Sequence, residues 1–284
     1  MKSKRPESLN DLGFEADEYG NRSVVLAFAI LKALIAAGRS ATLRDLAKAV
    51  HLTPSRTHRF LAGMIKVGVI SQNRESGKYD LGPGLIELGM NAIRRVDVIK
   101  LGIEATEQLA METGLVSILC IWGGDGPTVI KWAQGKTITA FHIREGVGLP
   151  LLTTATGKIF LSFLPDQQTE KIVANQIQSL SAAGATVKPA EIDRMKTTVR
   201  RKGIASSHGK TYPEFTAISC PVFDHNGGIK LALTLMGDES QRPIGEDGEL
   251  ADALKAAARE LSLKIGYIEN ADKYPLAGLS QDPI

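Results

Sequence analysis

The stretch "TLRDLAKAVHLTPSRTHRFLAGMIKVGVI", residues 42–70, decides the fold of the N-terminal part of this chain. Thr42 stands before a short amphipathic run and has Asp45 three residues later, a pattern close to a capping box. Thr53 and Pro54 open a second run, because threonine is a good N-cap and proline suits the first helical turn. Two capped helices separated by a turn of about three residues have the proportions of a helix-turn-helix.

The second helix of this motif concentrates its polar side chains at its N-terminal end. Leu61, Met64 and Ile65 form the stripe that we expect to be buried. In helix-turn-helix proteins the N-terminal residues of this helix contact base edges, and arginine most often reads guanine. The sequence therefore predicts DNA contacts from the following residues: Thr53, Ser55, Arg56, His58 and Arg59.

A helix before this motif and a hairpin after it complete the predicted domain. "RSVVLAFAILKALIAAG", residues 22–38, predicts a helix that ends at Gly38. Its predicted apolar face consists of Val24, Leu26, Phe28, Leu31, Leu34 and Ile35. "VISQNRESGKYDLG", residues 69–82, predicts two strands around a Ser-Gly turn, with Arg74 and Lys78 at the tip. Such a wing suits contacts with DNA phosphates or with the minor groove.

The charge of the chain is distributed unevenly. Residues 21–95 hold twelve lysines and arginines against four acidic residues, while the whole chain has a net charge of only +3. A basic module joined to a mildly acidic one is typical of nucleic-acid binding by one part of a protein. The alternative is a basic helical domain whose charges are merely solvated. The order of helix, turn, capped helix and basic hairpin favours binding of double-stranded DNA.

Length, hydropathy and cysteine content narrow the class of protein. A chain of 284 residues is long enough for two domains, each with its own core. The apolar run near the start is interrupted by Lys32 and falls short of the roughly 18 uninterrupted residues that a membrane span needs. Its two cysteines, Cys120 and Cys220, form no CxxC motif and predict no disulfide framework. We therefore expect a cytoplasmic protein with no membrane partner.

The second half of the chain predicts an α+β domain built on an antiparallel sheet. "GPGLIELGMNAIRRVDVIKLGIEATEQLAMETG", residues 82–114, begins with a Pro-Gly break and predicts a connecting helix. Residues 115–135 and 215–237 each predict a hairpin, and "TITAFHIREG", residues 137–146, predicts a further strand. The remaining apolar-periodic segments predict helices. Strands and helices segregate along the sequence instead of alternating, as they do in α+β folds.

The stretch "LPLLTTATGKIFLSFLP", residues 149–165, contains a Gly-Lys pair that raises the question of phosphate binding. A Walker A loop needs a glycine where this chain has Leu152, and a serine or threonine where it has Ile159. The stretch is therefore better interpreted as the N-terminus of a helix. Free backbone N–H groups and the helix dipole favour a small anion there. From the residues alone, a simple N-cap at Thr154 with Lys158 on the surface is an equally good interpretation.

An enzymatic function for the second domain has little support in the sequence. The chain lacks the GxSxG, HExxH and CxxC motifs, and its five histidines are scattered. His208 with Cys220 is the only conceivable nucleophile pair. A sensor module whose winged helix binds protein is a further alternative, against which the basic N-terminal segment argues. We predict no catalytic residue, metal site or cofactor.

Three segments together resemble the IclR family of bacterial transcriptional regulators: "THRFL" in the second helix of the motif, residues 149–165, and "SCPVFDHNGGIKLALTLMG". The resemblance covers the chain from about residue 22 to about residue 268. It implies a winged helix-turn-helix, a linker helix and a GAF-like effector domain. It also implies dimers or tetramers that bind palindromic operators, with repression more common than activation.

The resemblance also sets the expected domain boundaries. These are a disordered N-terminal arm (residues 1–20), the winged helix-turn-helix (21–83), the linker helix (84–98), the effector-binding domain (99–270) and a C-terminal tail (271–284).

In IclR relatives the turn before the helix lines the effector pocket, and its backbone amides bind the ligand's carboxylate. Carried across by motif, the effector-binding positions are Thr154, Ala155, Thr156, Ser207, His208, Pro221, Thr234 and Met236. This chain departs from relatives that bind very small keto acids, because Pro221 and Met236 stand where those have polar groups. We therefore expect a larger, more apolar organic acid, such as an aromatic acid.

Overall fold

The structure is a computed structural model that describes residues 21–135, 143–209, 215–238 and 243–268. The chain divides into two compact units, with the boundary between Arg95 and Val96. Each unit has a hydrophobic core of its own. The predicted arm at residues 1–20 and tail at residues 271–284 lie outside the described residues.

The first unit is a helix-turn-helix followed by a two-stranded hairpin. Its elements are α1 (Arg22–Ala37), α2 (Leu43–Ala49), α3 (Pro54–Lys66), β1 (Ile70–Gln72), β2 (Tyr79–Leu81) and α4 (Pro83–Arg94). Thr42 and Asp45 form the predicted capping box, in which each side chain bonds the other residue's backbone N–H. Thr53 caps α3 by accepting a hydrogen bond from the backbone N–H of Arg56 at 3.3 Å. Both helix starts therefore follow the sequence signals.

The core of this unit differs from the predicted apolar face of α1. Val24, Phe28 and Ile35 are 54%, 56% and 64% exposed, so their predicted burial is wrong. The buried face instead consists of Leu26, Ala29, Ile30, Leu31, Ala33 and Leu34. The rest of the domain therefore covers the side of α1 that carries Ala29 and Ala33, whose small side chains leave room for close packing. Ile65 on α3 is also partly exposed, whereas Leu61 and Met64 are buried as expected.

One helix ends and another begins at the boundary between the two units. Asp97 caps a new helix, α5 (Val98–Thr113), by accepting a hydrogen bond from the backbone N–H of Lys100 at 3.0 Å. The break falls inside residues 84–98, which the sequence predicts as one linker helix. No residue of α4 is buried, and Ile86, Leu88 and Met90 expose much of their apolar surface.

The second unit is an antiparallel sheet with helices on both faces. After α5 its elements are β3 (Val116–Gly123), β4 (Gly126–Ala133), α6 (Ala155–Phe163), α7 (Asp166–Ala182), α8 (Pro189–Lys202), β5 (Ala205–His208), β6 (Phe215–Phe223), β7 (Ile229–Asp238) and α9 (Glu249–Lys264). The five strands lie in the order β4-β3-β7-β6-β5, and every neighbouring pair is antiparallel. The predicted α+β fold, a helix-turn-helix unit followed by an antiparallel-sheet domain, is confirmed. The strand predicted in "TITAFHIREG" falls mostly on residues 136–142, outside the described residues.

Alternate residues of the central strands pack on opposite faces of this sheet. Leu119 on β3 and Leu235 on β7 pack in the core that includes residues of α9. Ile118 on β3 and Met236 on β7 pack in the core that includes residues of α6. Side chains therefore alternate between the two faces of the sheet, and α6 covers the face that carries Ile118 and Met236.

Candidate DNA-binding surface and ligand cleft

The N-terminal half of α3 separates a buried side from an exposed polar side. Thr57, Leu61 and Met64 face the core. The predicted DNA-contacting residues Ser55, Arg56, His58 and Arg59 are all exposed, and Thr53 is exposed at the cap. Neither Arg56 nor Arg59 pairs with an acidic group in the part of the chain that the structure describes. Their guanidinium groups are therefore available to phosphates or to base edges.

The tip of the hairpin is held in one shape by Asn73. Its side-chain oxygen accepts hydrogen bonds from the backbone N–H groups of Glu75 at 3.0 Å and Ser76 at 2.9 Å. Gly77 has φ of 66°, a left-handed conformation in which glycine has no steric penalty. Arg74 and Lys78 are exposed at this tip. The structure thus gives the predicted wing a fixed turn with two exposed basic side chains.

The N-terminus of α6 is only partly capped. The Thr154 hydroxyl accepts a hydrogen bond from the backbone N–H of Gly157 at 2.9 Å and donates one to the carbonyl of Pro150 at 2.6 Å. The N–H of Lys158 bonds the carbonyl of Thr154. The N–H groups of Ala155 and Thr156 have no partner among the described residues. These two donors, at the positive end of the helix dipole, form an anion-binding position.

Gly157 allows α6 to lie directly against the chain that precedes it. A Cβ at this position would lie 2.1 Å from the carbonyl oxygen of Pro150 and 2.6 Å from the Cα of Leu151. No side chain fits at such distances. The glycine of the Gly-Lys pair therefore serves close backbone packing, which agrees with the absence of a Walker A loop.

Ala155 and Thr156, which carry these amides, line a cleft of about 420 Å³, a volume that includes the solvent at its open side. The lining combines predicted and unpredicted positions: Ile118, Ile143, Leu149, Thr154, Ala155, Thr156, Ser207, Gly209, Phe215, Ala217, Thr234 and Met236. The structure therefore brings together most of the predicted effector-binding residues. None of the lining residues is charged, and most of the added ones are apolar.

Two predicted positions do not line the cleft. His208 is exposed on the edge strand β5, and its Nδ1 lies 3.3 Å from the Thr216 hydroxyl. Pro221 is buried on β6 opposite Ala232, four residues beyond the cleft residue Ala217. Side chains alternate across a strand, so His208, the neighbour of Ser207, faces away from the cleft. Pro221 lies farther along β6, beyond the end of the cleft.

The chain matches two family models over most of its length. Residues 23–74 match the IclR helix-turn-helix domain, and residues 90–263 match the model described as bacterial transcriptional regulator IclR C-terminal. The chain belongs to the IclR family. It is therefore a transcriptional regulator with an N-terminal DNA-binding helix-turn-helix and a C-terminal IclR effector domain, which confirms the resemblance.

Relatives of this IclR chain share its whole organisation. Its fold is similar to the crystal structure of HmgR from Pseudomonas aeruginosa, with a TM-score of 0.79 and 30% identity, over 88% of this chain and all of HmgR. It is 25% identical to the transcriptional regulator KipR of Bacillus subtilis over 249 residues, 87% of this chain and 98% of KipR. It is also 25% identical over 259 residues to the DNA-binding transcriptional repressor YiaJ of Escherichia coli, 89% of this chain and 91% of YiaJ. IclR regulators bind DNA, as the exposed side of α3 suggests.

Sequence reasoning missed the apolar part of this IclR cleft. Phe215 and Ala217 stand six and four residues before the predicted position Pro221 on β6, so the period of two along the strand could have found them. Ile143 and Leu149 lie in a segment without regular structure, and no sequence signal marks them. Ile118 was recognisable as a strand residue, but not as one that faces the cleft.

A network of charged groups fixes the edge of the sheet beside the IclR cleft. The Lys158 ammonium donates to the carbonyl of Ser206 at 2.6 Å, and the Ser206 hydroxyl donates to Glu246 at 2.7 Å. Lys202 pairs with the same carboxylate at 2.7 Å. Burial alone would raise the pKa of Glu246, but the hydrogen bonds from Lys202 and Ser206 outweigh it and lower that pKa. The network holds β5, and with it the cleft residue Ser207, against α6.

The cysteines and histidines of the described residues do not form the nucleophile pair considered above. His208 pairs with Thr216, so it lies four residues along β6 from Cys220, or about 13 Å at the usual rise of a strand. Burial raises the pKa of the Cys220 thiol, which keeps it protonated. Cys120 is buried on the other face of the sheet.

Among the described residues, no helix is long and apolar enough to cross a membrane.

Proposed function

We propose that this chain is a ligand-responsive regulator whose C-terminal domain binds a small organic acid and thereby alters operator binding. The observation that carries the proposal is the pair of free amides of Ala155 and Thr156, two residues that line a largely apolar cleft. A carboxylate suits the helix N-terminus, and an apolar body suits the rest of the lining. Since the apolar share is large, an aromatic acid is a fitting ligand.

The DNA partner of the proposal is a palindromic operator that two copies of the chain bind together. Exposed apolar side chains on two helices of the first unit support self-association: Val24, Phe28 and Ile35 on α1, and Ile86, Leu88 and Met90 on α4. Apolar residues in such number are unusual on the surface of a monomer. We therefore propose a homodimer or tetramer, located in the cytoplasm where the operator is.

The proposed mechanism is thermodynamic linkage between the two sites. A ligand changes operator affinity only if it binds the DNA-competent arrangement better or worse than the other arrangement. The segment from α4 to α5 joins the two units, and it is the element through which we propose this difference acts. Repression is the proposed default, and the name of the relative YiaJ supports it.

A titration of the full chain with labelled DNA tests the proposal. Fluorescence anisotropy would compare DNA from upstream of the protein's own gene with scrambled DNA over a series of salt concentrations. We expect tighter binding to the upstream DNA and a steep decrease with salt. Organic acids added to the preformed complex should then shift the anisotropy. Equal binding to both DNAs, or no response to any acid, would contradict the corresponding half of the proposal.

Lys78→Ala should weaken binding to all DNA sequences alike. Lys78 is exposed at the tip of the wing, where a lysine contacts phosphate and carries no sequence information. Loss of one phosphate contact should reduce the slope of log affinity against log salt by about 1. Anisotropy titrations with operator and scrambled DNA measure both slopes. A loss restricted to the operator would instead assign Lys78 a role in base recognition.

Met236→Ala should weaken the response to ligand and leave ligand-free operator binding intact. Met236 lines the cleft and is 3% exposed, so its truncation removes apolar contact with the bound acid. The change removes three methylene-sized groups, so at about 0.8 kcal/mol for each group that contacts the acid, the concentration for half-response should rise by up to roughly 60-fold. The control is Met236→Leu, which keeps most of the volume. Loss of DNA binding together with ligand response would indicate a folding defect instead.

A further inference from the structure

Three buried hydroxyl groups form a hydrogen-bonded chain below the cleft. The Ser219 hydroxyl donates to the backbone carbonyl of Leu233 at 3.0 Å, and the Thr234 hydroxyl donates to Ser219 at 2.9 Å. The hydroxyls of Thr156 and Thr234 are 2.8 Å apart. Thr156 and Thr234 line the cleft, whereas Ser219 does not. The chain therefore runs from a backbone carbonyl inside the sheet to the surface that a ligand touches.

The carbonyl at one end fixes the direction of every hydrogen bond in this chain. A carbonyl oxygen only accepts, and each hydroxyl has a single hydrogen to donate. The hydrogen of Ser219 is used on Leu233, so Ser219 accepts from Thr234, and the hydrogen of Thr234 is used as well. Thr156 must then donate to Thr234. No hydrogen of these three hydroxyls remains for a ligand.

The groups that remain for a ligand are lone pairs. Each hydroxyl oxygen has two, and Thr234 uses one of them to accept from Thr156. Thr156 donates in this chain and accepts from neither of the other two hydroxyls. Thr156 and Thr234 thus each keep a lone pair, and both present acceptors to the cleft. An acceptor group of a ligand would face repulsion here, whereas an O–H group finds a partner.

We propose that the cleft selects an organic acid that carries a hydroxyl group a few bonds from its carboxylate, and that Ser219 sets this preference without touching the ligand. The inference rests on the proposed function and names the chemical class of its ligand. The short separation follows from Thr156, which supplies both a free backbone N–H for the carboxylate and an acceptor for the hydroxyl. Ser219 is a positioning residue, because it acts through Thr234.

Calorimetric titration of the full chain with matched acids tests the preference. One set is 3-phenylpropanoate with its 2-hydroxy, 2-fluoro and 2-oxo forms, and a second set is benzoate with its 2-hydroxy, 2-fluoro and 2-methoxy forms. Fluorine resembles a hydroxyl in size but donates no hydrogen bond, and the oxo and methoxy oxygens accept hydrogen bonds without donating any. In at least one set we expect the hydroxy acid to bind roughly 5- to 10-fold more tightly than each of the other three acids, as one added hydrogen bond gives.

Ser219→Ala separates the proposed direction of the chain from a general fit of the cleft. Without Ser219, the hydrogen of Thr234 can turn to Thr156, and that of Thr156 can turn to the ligand. The preference for the hydroxy acid over the oxo or methoxy acid of its set should then fall to less than about 2-fold, since the acid that only accepts gains a donor. Ser117→Ala is the matched control: Ser117 is equally buried and lies on the other face of the sheet, and its hydroxyl has no hydrogen-bond partner among the described residues. The Ser117→Ala protein should show the same preference for the hydroxy acid as the unchanged chain.

Thr234→Val removes the acceptor of Thr156 by another route and should have the effect of Ser219→Ala.

The outcomes of this experiment distinguish the inference from the function on which it rests. Equal binding of hydroxy and fluoro acids by the unchanged chain would overturn the selection of a hydroxyl. A preference that survives in both Ser219→Ala and Thr234→Val would overturn the role of the hydroxyl chain. If no acid in either set binds, the proposed organic-acid site fails, and the inference fails with it.

Discussion

Arg59→Ala is expected to weaken operator binding by roughly 5- to 150-fold, the factor that corresponds to losing a base contact of about 1–3 kcal/mol. Arg59 is exposed on the N-terminal half of α3, on the side opposite the buried Leu61 and Met64. In a helix-turn-helix this position lies in the major groove, where arginine donates two hydrogen bonds to guanine. Arg56 lies on the same exposed side, and Arg56→Ala should have an effect of the same kind.

Anisotropy titrations against operator variants with single base changes measure both the affinity and its sequence dependence. If Arg59 reads a base, discrimination should relax at one position of each half-site, and the other positions should keep theirs. Lys66→Ala is the matched control, because Lys66 is an exposed basic residue at the opposite end of the same helix. An equal loss for Lys66→Ala and Arg59→Ala would mean that only the net charge of α3 matters.

Gly157→Ala is expected to have the largest effect on the second unit. The added Cβ meets backbone atoms of Pro150 and Leu151 at 2.1 and 2.6 Å, and backbone cannot move aside as a flexible side chain can. Overpacking of this kind destabilises by about 1–3 kcal/mol or more. In a unit of this size that corresponds to a Tm lower by roughly 2–12 °C. Since α6 must shift, the amides of Ala155 and Thr156 move too, and ligand binding should be lost. Thermal melting and calorimetry measure the two effects.

Gly89→Ala provides the control for Gly157→Ala. Gly89 is also a glycine within a helix, but a Cβ there would meet nothing within 4 Å. Alanine is the better helix former by about 1 kcal/mol, so this variant should be neutral or more stable. Normal ligand binding by Gly157→Ala would contradict the role assigned here to close packing before α6.

The parts of the fold that the sequence predicted are those with local chemical signals. Thr42, Thr53 and Gly38 each act within a few residues of themselves, so the starts and ends of the first helices could be found from the sequence. Burial on α1 depends on which face the rest of the domain covers. Val24 and Phe28 satisfy the helical period as well as Leu26 and Ile30 do, and only the packing distinguishes them.

The candidate cleft shows the same division between local and distant information. Thr154 and Gly157 were recognisable as a helix start, because their interactions are with neighbouring residues. The bond between Thr156 and Thr234 joins residues far apart in the sequence, and no periodicity predicts it. The prediction that residues 84–98 form one helix missed the cap at Asp97, which is a short-range signal that could have been read.

The hydroxyl chain that ends at Leu233 has a consequence for how ligand recognition diverges in evolution. Ser219 can be exchanged for alanine by a change of one small buried atom, with the surface of the cleft left untouched. Two descendants of this regulator could therefore keep identical ligand-contacting residues and still respond to different metabolites. Comparing only the residues that touch the ligand would assign both the same inducer. The residue that decides between them lies beside Thr234 on the neighbouring strand, outside the lining of the cleft.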